Sequence, residues 1–183
     1  MPKNRVLGYG ARERSRIILY TVIIGIMILV LSSLQVSLFG RFRPFGAVPD
    51  LMLCLVLCIA FFQGRYTGAI TGIAAGFVIE AIGSVGLSLL PVAYMIYGYV
   101  VGHYAHAMHT ARYPSYLLYL VCGLFLRAAL TVAYACLSYR IIHLPDIITY
   151  SVLPELFGTA IAGMILYFPM KPLCALLDGG KRR

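Results

Sequence analysis

The chain has 183 residues, of which 61% are hydrophobic and only 11% charged, with a formal net charge of +9. A soluble domain carries about 25% charge, so there is too little here to cover a water-facing surface, and lipid is the expected solvent. The positive excess does not describe a nucleic-acid face. Lys3, Arg5, Arg12, Arg14 and Arg16 precede the first apolar run, and Lys171, Lys181, Arg182 and Arg183 sit at or after the last, which is the placement of topology signals and of contacts to anionic lipid headgroups.

The first predicted helix covers 17–38, without a charge to interrupt it. It is too long for the apolar region of a cleaved leader and lacks a closing A-x-A site, so it reads as a retained span. Gly40, Arg41, Arg43, Pro44 and Gly46 then mark an interfacial loop. Helix 2 is predicted from Pro49, which suits a first helical position, and Asp50 brings negative charge to the positive end of the helix dipole. Ending at Gln63, this helix is about 22 Å long, short of a hydrocarbon core of about 30 Å. The segment before Pro49 is therefore expected to dip into the protein and cover it.

Helix 3 is predicted over 66–82, helix 4 over 87–106 with Pro91 in its first turns, and helix 5 over 115–139. Helix 6 is predicted over 147–168, broken by Pro169 and Pro172, with an apolar tail at 173–177 along the interface. With six spans both termini share one side. That side collects the five N-terminal basic residues, Arg65, Arg112 and the four C-terminal ones, against Arg41, Arg43 and Arg140 on the other, which predicts cytoplasmic termini. The organisation expected is a basic cytoplasmic segment at 1–16, a six-helix membrane domain at 17–170 and a basic cytoplasmic tail at 171–183.

Along helix 3, Gly64, Gly68, Gly72 and Gly76 recur every four residues and Glu80 takes the next place. Such a row forms one ridge, and its small residues let a neighbouring backbone approach closely. The expected groove would be filled either by another helix of this chain or by a partner. Glu80 is an acid within a span, which is costly even one turn from the end, so a partner-facing role is weighed for it. Arg127, near the middle of helix 5, cannot shed its proton. Glu155 on helix 6 is the expected counter-charge, giving an intramembrane ion pair that clamps helices 5 and 6.

Other chemistry is not indicated. Cys54, Cys58, Cys122, Cys136 and Cys174 are odd in number and form no C-x-x-C, so neither a disulfide framework nor a zinc site is read. His103, His106 and His109 recur every three residues, but one helix can offer only two of them to a metal, and Tyr104, Tyr113 and Tyr116 among them read as an interfacial belt. There is no G-x-S-x-G or H-E-x-x-H, and Ser32 and Ser33 have no identifiable base. No enzyme and no cofactor is expected.

Val48-Pro49-Asp50-Leu51 opening a short apolar helix, Gly68, Gly72 and Gly76 running into Val78-Ile79-Glu80, and Ser84 with Gly86-Leu87 together resemble the rod-shape-determining MreD family. Pro154-Glu155-Leu156-Phe157, Gly163, Tyr167, Pro169 and Pro172-Leu173 are similar to that family as well. Glu80 stands where the family pattern has Asp, and Arg127 has no place in that pattern. The resemblance implies an all-α integral membrane protein of about six transmembrane helices, similar in fold to the substrate-binding subunits of energy-coupling-factor transporters. It implies a non-enzymatic scaffold in the bacterial cytoplasmic membrane. The partners it implies are an MreC-like membrane protein and, directly or indirectly, MreB-like filaments and peptidoglycan synthases. A vitamin-binding transporter subunit is the alternative. It would want a small-xxx-small docking face on helix 1, where Thr21 to Ile28 is mostly β-branched with a single glycine.

Overall fold

A computed structural model of the chain describes residues 4–39, 48–83, 89–107, 113–139 and 152–178. These residues form six α-helices and no strand: α1 (Asn4–Leu34), α2 (Leu51–Gln63), α3 (Arg65–Gly83), α4 (Leu90–Ala107), α5 (Tyr113–Tyr139) and α6 (Leu153–Asp178). A π-helical turn, Gln35–Phe39, continues α1. Three of the helices are long and apolar enough to cross a membrane, through Ile18–Ser37, Tyr113–Ala133 and Leu153–Cys174. The expected loops around Arg41 and Arg43, at Ser84–Gly86, around Arg112 and at 140–146 lie outside the described residues, as do Lys181, Arg182 and Arg183.

Every residue of α2 from Leu51 to Phe61 is buried. A helix that is apolar all round must be enclosed all round, and the five other helices each touch α2. Its 13 residues measure about 20 Å. At its C-terminal end Phe61 packs edge-on against Phe62 and Tyr116, while Tyr167 lies against both Phe62 and Tyr116. The Tyr116 hydroxyl reaches Gly163 O on α6 at 2.8 Å, which ties α5 to α6 beside this aromatic group. Gly64, at φ 95°, ends α2 and turns the chain straight into α3; that backbone region favours glycine.

Three expected boundaries are corrected. The first helix begins at Asn4, not at 17; Arg, Ala, Leu and Glu favour the helical state, so the basic N-terminal segment carries the helix onward. Helix 2 begins at Leu51, with Pro49 two residues outside it. The last helix does not break at Pro169 but continues through Pro169 and Pro172 to Asp178, so the expected tail from 171 starts inside a helix. Both prolines stand on the exposed face, while Tyr167, Met170 and Cys174 are buried. Packing of that inner face offsets the lost backbone hydrogen bonds.

Candidate functional site

The start of α2 lies in the protein interior, where its unpaired N–H groups need partners. Asp50 is the N-cap: its side chain accepts from Leu53 N–H at 3.0 Å. The Asp50 N–H donates to Thr159 Oγ1 on α6 at 2.9 Å, and the Leu51 N–H donates to Gln35 Oε1 in the turn after α1 at 3.1 Å. Thr159 in turn donates to Glu155 O at 2.7 Å. Pro49 does not serve as a first helical residue. It packs against α6 at Gly158, where an added Cβ would stand 3.2 Å from Pro49 Cβ.

Charge gathers at the same point. Arg127 Nε on α5 is 2.8 Å from Glu155 Oε1 and 3.1 Å from Asp50 Oδ2. The Tyr94 hydroxyl on α4 donates to that same Asp50 oxygen, and Thr131 hydrogen-bonds the Glu155 carboxylate. Exposure of the Asp50, Glu155 and Arg127 side chains is 1%, 12% and 21%, so the carboxylate deepest in the fold is the one with most partners. An arginine needs several acceptors and cannot lose its charge; two carboxylates from two helices hold it in place. The cluster thus joins α2, α4, α5 and α6, with the turn after α1 beside it.

The structure places Arg127 and Glu155 together, the two residues that the sequence pairs, and adds Asp50, which the sequence reading leaves at a helix end. Tyr94, Thr159 and Gln35 were missed. The length of α2 was the available signal: a helix too short to span puts its first residue at depth, level with any charge in mid-span. An aspartate carboxylate there needs donors, which Tyr94, Arg127 and the Leu53 N–H supply, while Thr159 accepts from the Asp50 N–H.

The glycine ridge faces inward. A Cβ on Gly68 would come within 2.7 Å of Gly98 O on α4, and one on Gly72 or Gly76 would overlap the backbone of Tyr94 or of Pro91. One on Gly102 would meet the backbone of Gly64 and Arg65. Two helix backbones are therefore in contact along most of their length, α3 against an antiparallel α4, and the groove is filled by this chain's own helix. Gly98 and Gly102, spaced by four, are the matching signal on α4 that the sequence reading passed over. Glu80, at the end of the ridge, accepts from Leu90 N–H at 3.2 Å, so it caps the exposed start of α4. His103 lies at the other end of this hairpin, with Nδ1 3.4 Å from Arg65 Nη1. The His106 side chain and His109 are outside the described residues. Among the described residues no three metal-ligating side chains are grouped.

Comparison of the chain with protein-family models, curated proteins and solved structures finds no match.

Proposed function

We propose that this protein is a non-enzymatic scaffold component of the bacterial cell-elongation machinery, held in the cytoplasmic membrane by six spans with both termini inside. In this reading it links an MreC-like partner and cytoskeletal MreB-like filaments to peptidoglycan synthesis. The observation that supports it most is where the residues behind the MreD resemblance fall. Asp50 and Glu155 bind Arg127 between them, and Gly68, Gly72, Gly76 and Glu80 seat α4. These groups are used in holding the bundle together, as a scaffold requires, and partners are left to the outer faces. Ile18, Val22, Ile26 and Leu29 on α1, with Leu118 and Phe125 on α5 and Phe157 and Ile165 on α6, are exposed there. Apolar surface of that extent suits lipid and partner helices.

The test is purification of the tagged full chain from its own membranes after mild solubilisation, combined with depletion of the protein in growing cells. An MreC-like protein should co-purify and depleted cells should round up. Energy-coupling ATPases in the purified complex, with unchanged cell shape, would instead favour the vitamin-transporter alternative.

A further inference from the structure

We propose that Arg65 and His103 form a binding site for the phosphate of an anionic lipid headgroup, at the end of the α3–α4 hairpin opposite Glu80. The inference needs the membrane reading only and holds whether or not the chain is a scaffold.

Arg65 Nη1 lies 3.4 Å from His103 Nδ1. A guanidinium only donates, so Nδ1 accepts and the ring proton of the neutral imidazole sits on Nε2, as a further donor. Arg65 Nη2 donates to the Tyr66 hydroxyl at 3.2 Å, whose own hydrogen is then free to donate outward. Tyr99 is stacked parallel to the His103 ring and Tyr104 stands edge-on to it. Among the described residues no carboxylate forms an ion pair with Arg65. What gathers here, among the described residues, is a fixed positive charge and a set of hydrogen-bond donors with no acid paired to them, the complement of a phosphate. The same charge repels the choline of a zwitterionic lipid.

The backbone that carries the group is fixed before any ligand arrives. Gly64, at φ 95°, sets the direction of α3, and α4 is so close at Gly102 that a Cβ there would stand 2.5 Å from Arg65 N. The backbone therefore needs no further ordering on binding. The surroundings favour a lipid over a free anion. Tyr66 and Tyr104 are exposed, Ile70 follows Tyr66 by one turn of α3, and Ile96 and Tyr99 share the helical face of His103; all are exposed to the outside. Donors at a helix end with apolar side chains running away from them fit an amphiphile, and tyrosines are enriched at that depth.

The experiment uses the full-length protein in nanodiscs of phosphatidylcholine alone or with added phosphatidylglycerol. Lipid retention is read by native mass spectrometry and thermal stability by tryptophan-independent light scattering. The native chain should retain phosphatidylglycerol in preference to phosphatidylcholine and melt higher in its presence. Arg65→Gln with His103→Gln should lower the preference roughly tenfold, the loss of one to two charge-assisted bonds, with melting in pure phosphatidylcholine unchanged. Arg65→Lys should fall between the two. The proposal is overturned if the double variant keeps the native preference. Equal protection of the native chain by inorganic phosphate at the same concentration would also overturn it, and that comparison needs no variant.

Discussion

Because Arg127 Nε is shared between Asp50 and Glu155, the three residues differ in what their loss leaves behind. Arg127→Met leaves two carboxylates without a cation and should be the costliest, about 3–5 kcal/mol. Glu155→Gln keeps a neutral acceptor and leaves Asp50 on the guanidinium, so about 1–2 kcal/mol is expected. Asp50→Asn preserves an N-cap; Asp50→Ala loses it as well, at about 1 kcal/mol more. The sequence alone suggests that Arg127→Met with Glu155→Leu would restore stability. The structure predicts otherwise, since Asp50 then stays buried and uncompensated, and only addition of Asp50→Asn should bring recovery. Thermal melting of the purified variants in one detergent ranks them. Full recovery in the double variant would show that Asp50 is not part of the cluster.

At the scale of the elements, two glycines separate packing from composition. Gly72 lies against the backbone of Tyr94, whereas Gly25 on α1 has nothing within 4 Å of an added Cβ. Gly72→Leu should lower abundance and melting temperature, because backbone cannot move aside as a side chain can; overpacking of this kind costs about 1–3 kcal/mol or more. Gly25→Leu should leave both unchanged, and equal losses in the two would remove the distinction. At Glu80, Gln keeps an acceptor for Leu90 N–H and should be mild. Glu80→Ala should cost about 1 kcal/mol, read as earlier hydrogen exchange at the start of α4. The ridge itself was legible because a four-residue repeat of glycine has one geometric meaning on a helix. What filled it was not, since a ridge of small residues accepts any backbone and only the fold brings Gly98 and Gly102 opposite.

For the whole molecule, the helices were readable from apolar runs and from glycine and proline punctuation, and the pairing of Arg127 with Glu155 from the cost of an isolated charge. The end of α6 was misread because proline was weighed locally, without the buried face of Tyr167, Met170 and Cys174 that carries the helix past it. Asp50 stands at the start of its helix as expected, but its contact with Arg127 was not legible, because the depth of a short helix depends on what surrounds it. In the proposed function the charged cluster and the glycine ridge hold the bundle together while partners bind outside. The measurement that decides is co-purification of the proposed MreC-like partner with the variant carrying Asp50→Asn, Arg127→Met and Glu155→Leu, alongside its melting curve. This variant should fold within about 1–2 kcal/mol of the native protein, since a neutral, well-packed replacement of a buried ion cluster is tolerated, and should recover the partner undiminished. A variant that melts normally yet loses the partner would contradict it and make the cluster itself the site of recognition.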